Sequence, residues 1–108
     1  MDELLKELAP VVASETQRAS KQYGDKYASV HEAESVLREE VNELDRETSE
    51  VNTVMKFVTE DLHWEKNVHG DGETCDDIEN IKYHALNAAA EAVRVAAVCE
   101  KIARGFEK

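Results

Sequence analysis

The stretch Ser29–Leu44 reads SVHEAESVLREEVNEL. Ser29 and Glu32 have the S-x-x-E spacing of a capping box, in which the serine oxygen accepts a backbone N–H at a helix start and the glutamate reaches back. Past the cap, Ala33, Val36, Leu37, Val41 and Leu44 recur at helical spacing and make one apolar face. Stepping about 100° per residue puts Glu40 near the middle of that face. Glu43 falls at its edge and Glu39 points away. A carboxylate inside a buried stripe is costly unless it is paired or holds a cation. The helical period argues for an all-α fold, and the misplaced carboxylate marks the first candidate site.

Upstream, Asp2 to Gln22 reads as a helix whose apolar stripe is Leu4, Leu5, Leu8, Val11, Val12, Thr16 and Ala19. Pro10 lies inside it, and a proline there removes a hydrogen bond, so a break or bend is expected near Ala9. Arg18, Lys21 and Lys26 form a basic patch, read either as a solvated helix end or as a phosphate contact. Gly24 is the expected C-cap. Downstream, Val51, Val54, Met55, Val58 and Leu62 carry the helical spacing to about Trp64, as one bent helix or two. The stretch Asn67–Glu73, NVHGDGE, reads as a loop.

Thr74 and Asp77 suggest the start of a last helix, running from Cys75 to about Arg104 with Gly105 as its C-cap. Its main face is small and apolar: Ile78, Ile81, Ala85, Ala89, Ala92, Val93, Ala96, Cys99 and Ala103. A second seam, His84, Asn87, Glu91, Arg94 and Val98, alternates three and four apart and stacks along one side. It is either a solvated or subunit-contact face, or one wall of a polar site with Glu40 and Glu43 opposite.

The totals bound the function. A chain of 108 residues is one domain by size, residues 1–108. One proline and four glycines give little support to strands joined by tight turns. A net charge of -11 repels phosphate backbones, so general nucleic-acid binding is not expected. It suits a solvated surface or carboxylates gathered for divalent metals. Met1-Asp2-Glu3 is acidic and no apolar h-region follows, so no signal peptide is expected. No apolar run nears the roughly 20 residues of a membrane span. The cytoplasm is the expected compartment. On one helix Cys75 and Cys99 would stand about 36 Å apart, too far for a disulfide.

Three segments together resemble a known family. Lys21-Gln-Tyr-Gly24, Ser29-Val-His-Glu32 and Glu39-Glu40-Val-Asn-Glu43-Leu44 look like the MazG-like all-α nucleoside triphosphate pyrophosphohydrolases. Glu91-Ala-Val-Arg-Val-Ala-Ala-Val-Cys99 resembles that family's second motif helix in its small phage and bacterial members. The resemblance runs from about Thr16 to Ile102. It implies that E-E-x-x-E and E-x-x-D carboxylates hold Mg²⁺, with Mn²⁺ as a substitute. The metal binds a nucleoside triphosphate, and cleavage of the α–β bond gives a monophosphate and pyrophosphate.

Carried over by position, Glu40, Glu43 and Glu91 are the expected metal ligands, and Glu39 is the ligand or water orienter. Arg94 stands where the family has aspartate. An arginine does not ligate a metal, so it would either repel Mg²⁺ or contact a phosphate directly. Arg18, Lys21, Asn87 and Arg94 are the candidate substrate contacts. The expected architecture is three to four helices in an oligomeric bundle, a homodimer or homotetramer that covers the alanine-rich faces. The alternative is a helical oligomer that has lost catalysis and serves as a nucleotide-binding or protein-interaction module. Other constellations are weaker. His63, His69, Cys75 and His84 match no standard zinc spacing. Trp64 and Tyr83 are read as packing residues before base-stacking ones. No Ser/His/Asp order or glycine-rich phosphate loop is present.

Overall fold

A computed structural model of the chain describes residues 2–61 and 73–105. All regular structure among them is helical: α1 (Asp2–Tyr23), α2 (Val30–Glu60) and α3 (Glu73–Gly105). The loop expected over Asn67–Glu73 lies outside the described residues, apart from Glu73, which begins α3. His63, Trp64 and His69 also lie outside them.

α1 runs unbroken through Pro10, so the chain does not break near Ala9. Pro10 and Lys6 are both exposed, so water can solvate the Lys6 carbonyl that the proline leaves without a helical donor. The helix stops where expected. Gly24 takes φ 92°, the left-handed region that favours glycine, and donates its N–H to the Ser20 carbonyl at 2.9 Å.

The Ser29 cap also forms. The Glu32 N–H donates to Ser29 Oγ at 3.1 Å, and the Ala33 N–H donates to the Ser29 carbonyl at 3.1 Å. α2 is then one helix through Thr48 and Ser49. Both residues are exposed, and the Thr48 hydroxyl donates to the Asp45 carbonyl at 3.0 Å rather than breaking the helix. α3 starts at Glu73, two residues before the expected start, so Thr74 lies inside the helix and not at its cap. Gly105 is its last residue and does not adopt a left-handed conformation. Cys75 and Cys99 both lie on α3 and both are free.

The chain divides into two compact units, Met1–Glu43 with Ala90–Lys108, and Leu44–Ala89. The first contains α1, the start of α2 and the end of α3. Its fully buried residues are Ala33, Ala97, Thr16 and Lys101, two small and two polar. Thr16 Oγ1 lies 2.8 Å from the Val12 carbonyl and 3.2 Å from Glu100 Oε2, which ties α1 to α3. Val12, Val36, Leu37 and Val98 are half-buried around them. Val41, placed on the apolar face of α2, is instead exposed, as are Leu4, Leu5 and Val11.

The second unit pairs the end of α2 with the start of α3. Val51, Val54, Val58 and Ile81 are half-buried. The His84 ring nitrogen Nδ1 lies 2.8 Å from Glu47 Oε2, and the Tyr83 ring stands edge-on to it. Met55, Phe57, Ile78 and Leu86 are exposed.

α3 reverses one expectation. Of its expected main face, Ile78, Ala85, Ala89, Ala92, Cys99 and Ala103 are exposed, while Ile81, Val93 and Ala96 are half-buried. The polar seam is the better buried side: His84, Asn87, Glu91 and Val98 are half-buried, and one step further along lies buried Lys101. Alanines bury little area, so they do not decide which side of a helix turns inward.

Two substitutions test the helix ends. Gly24→Ala should cost about 1 kcal/mol, because an L side chain is strained at this φ. Ser29→Ala should cost about 1 kcal/mol through the lost cap. Urea denaturation measures both, and a cost near zero for both would contradict the cap assignments.

Candidate metal centre

The first unit brings Glu40 and Glu43 of α2 against Glu91 of α3. One oxygen from each carboxylate lies within 4.8 Å of the others, and all three residues are half-buried. Helix geometry accounts for the pair on α2, since residues three apart share a face. Glu91 belongs to the polar seam that α3 turns inward.

Glu40 Oε2 and Glu91 Oε2 are buried and accept no hydrogen bond. Buried polar atoms are nearly always satisfied, so these two oxygens call either for a proton shared between the two carboxyls or for a cation. The Glu40 carboxyl is pushed up to about 7. Burial is the largest cause, followed by a hydrogen bond shared with Glu91 and by the negative charges of Glu91 and Glu43, while Arg94 acts the other way. Two carboxylates cannot bond to each other without a proton. Without a cation, therefore, the pair relieves its repulsion by keeping one.

Arg94 lies three residues beyond Glu91 and donates to its Oε1 at 2.8 Å. It engages one oxygen of Glu91 and leaves the other facing the cluster. Arg18 is held in the same manner by Glu15, at 2.6 Å, and draws the Glu15 carboxyl below its ordinary value chiefly through that hydrogen bond. Both arginines line a cavity of ≈ 430 Å³ that also reaches Glu40, Tyr23, Tyr27 and Lys101. Burial first, then the charges of Glu32 and Glu40, push the Tyr27 hydroxyl up.

The sequence-derived site residues therefore separate. Glu40, Glu43 and Glu91 converge, and Arg18 and Arg94 line the adjoining cavity. Glu39 is exposed, as its place on α2 implies, and lies outside the cluster. Lys21 is exposed and is not part of the cavity lining. Asn87 is half-buried in the Leu44–Ala89 unit. Sequence reasoning missed Tyr27 and Lys101. Lys101 was reachable, since it extends the spacing of Glu91, Arg94 and Val98 by three residues. Tyr27 gave no signal, because it lies in the connection before α2, where no periodicity applies.

Comparison with family models, with curated proteins and with solved structures finds no match to this chain.

The donor set fits a small hard dication. Mg²⁺ takes oxygen ligands and is often held by a few carboxylates with water and phosphate completing its shell. Glu40, Glu43 and Glu91 supply oxygens of that kind, two of them lacking a donor.

The raised Glu40 carboxyl sets a pH dependence. In the folded chain it keeps its proton up to about 7, against an ordinary value of 4.5. Its contribution to stability is thus fully present below about 4.5 and is lost as pH rises through about 7. In metal-free buffer the wild type should lose about 1 kcal/mol more than Glu40→Gln between about pH 5 and about pH 8, a figure reduced for solvent screening. Parallel urea midpoints for the two proteins would contradict the assignment.

Proposed function

We propose that the chain is a metal-dependent nucleoside triphosphate pyrophosphohydrolase of the MazG-like type. Water adds to the α-phosphorus, the bond to the bridging oxygen breaks, and the products are a monophosphate and pyrophosphate. The observation that carries the reading is the Glu40–Glu43–Glu91 cluster with its two buried oxygens lacking donors. The motif resemblance supplies the reaction class, and three of the residues it singles out, Glu40, Glu43 and Glu91, lie in the cluster.

Glu40, Glu43 and Glu91 would hold Mg²⁺, or Mn²⁺ in its place. When bound, the metal would neutralise phosphate charge and polarise the α-phosphorus. Arg18 and Arg94 face the cavity and add positive charge beside the carboxylates. Because each is already paired with a glutamate, their guanidinium groups are held in place before a ligand arrives. Glu39, exposed and outside the cluster, remains a proposed ligand or water orienter on the resemblance alone. Lys21 and Asn87 remain proposed substrate contacts on the resemblance alone.

The chain is further proposed to act as a homodimer or homotetramer in the cytoplasm. Exposed Leu4, Leu5, Val11 and Val41 in one unit and Met55, Phe57, Ile78 and Leu86 in the other support assembly. No helix among the described residues is long and apolar enough to cross a membrane.

One observation favours a second reading, a catalytically inactive nucleotide-binding or interaction module. Arg94 occupies Glu91 Oε1, where the family's aspartate would add a ligand. The two readings separate in one assay, pyrophosphate release from a panel of ribo- and deoxynucleoside triphosphates with Mg²⁺ or Mn²⁺. The hydrolase reading predicts release that falls by at least about a hundredfold in Glu40→Gln, the loss expected when a group stabilising the transition state is removed. No release from any nucleotide with either metal would favour the module.

A further inference from the structure

Lys101 is the least expected residue of the first unit. A lysine is almost never fully buried unless it is paired. Lys101 is only 6% exposed, yet among the described residues no ion pair or hydrogen bond reaches its ammonium. Its recorded contact is the face of Tyr27, with Nζ 4.1 Å from the ring centroid. A cation over an aromatic face is attracted to it, but the ring replaces only part of the lost water.

The other two cations of the cavity differ. Arg18 and Arg94 are exposed, and each is bound to the glutamate three residues before it. Lys101 and Tyr27 line the same ≈ 430 Å³ cavity as Glu40. The nearest acid in sequence, Glu100, is engaged elsewhere, with Thr16 through Oε2 and with Arg104 through Oε1. Lys101 is thus a cation in the wall of a cavity, its side chain largely covered and its ammonium without a carboxylate partner among the described residues.

We propose that Lys101 is the anion anchor of this cavity, binding a phosphate oxygen of the ligand while the Tyr27 ring holds its ammonium in place. Tyr27 fixes the position of the charge without neutralising it, so the donors stay available to an incoming oxygen. The identity of the ligand as a nucleotide rests on the hydrolase reading. Capture of a phosphoanion by Lys101 rests on the lysine and its cavity alone. The anion is either the phosphate chain of a nucleotide or free pyrophosphate.

Calorimetric titration with inorganic pyrophosphate, in chelator and without metal, tests this directly. Wild type should bind. Lys101→Met, which keeps the aliphatic stem, should bind at least about tenfold more weakly, as expected for a lost charge-assisted hydrogen bond. It should melt close to wild type, because the aliphatic stem that fills the space is kept. Lys101→Arg should retain binding. In wild type, pyrophosphate should also slow reductive methylation of Lys101 relative to exposed Lys6. Absence of binding to wild type, equal binding by Lys101→Met, or unchanged methylation of Lys101 would overturn the proposal.

Competition identifies the source of the anion. Displacement of pyrophosphate by a nucleoside triphosphate assigns Lys101 to the nucleotide's phosphate chain, and independent binding assigns it to free pyrophosphate. The outcome is separable from the hydrolase reading. Pyrophosphate binding that depends on Lys101 without nucleotide turnover would remove the enzyme and keep the anchor. Turnover with undiminished pyrophosphate binding in Lys101→Met would do the reverse.

Discussion

Three carboxylates held within 4.8 Å of one another repel, and two of them carry a buried oxygen that no donor reaches. The fold has to hold this cluster together against that repulsion. Two consequences follow from the same electrostatics. Without a cation, Glu40 keeps its proton to about 7, which lowers the charge of the cluster at a cost in pH sensitivity. With a dication, the same oxygens become ligands and the repulsion turns into binding.

The surroundings fit that division. In a chain of net charge -11, two of the cations lining the cavity are tied to neighbouring glutamates, which fixes their place without adding free positive charge. The third, Lys101, lies against an aromatic ring and pairs with no carboxylate among the described residues. If the carboxylate cluster holds a dication, that charge and the Lys101 ammonium would present positive charge at two points of one cavity. That is the pattern a polyanion with separate phosphates would engage.

Much of this was legible in the sequence because helix periodicity converts spacing into facing. Glu40 was marked by its place within an apolar stripe, and Glu91 by a polar seam within an alanine-rich helix. Both ends of the connection between α1 and α2 were marked by residues with a local mechanism, Gly24 and Ser29. The errors have physical causes too. Alanine has too little area to dictate which side of α3 turns inward, so the seam won over the stripe. Pro10 did not break α1, where Lys6 and Pro10 are both exposed and water can reach the backbone. The sequence carries no sign that Lys101 is covered, since a lysine near a helix end is ordinarily a solvated cation favoured by the helix dipole. Nothing in local sequence indicates that Tyr27 covers it.

The central claim is that Glu40, Glu43 and Glu91 form a divalent-cation site, and direct metal binding tests it ahead of any substrate. The measurement is a titration of the full chain with Mn²⁺, followed by the electron paramagnetic resonance signal of the free ion at about pH 8, where Glu40 is ionised. The account predicts that the protein removes Mn²⁺ from solution, that Mg²⁺ displaces it, and that Glu40→Gln leaves it free. Mn²⁺ that stays free with wild type, or that binds equally to Glu40→Gln, would contradict the claim.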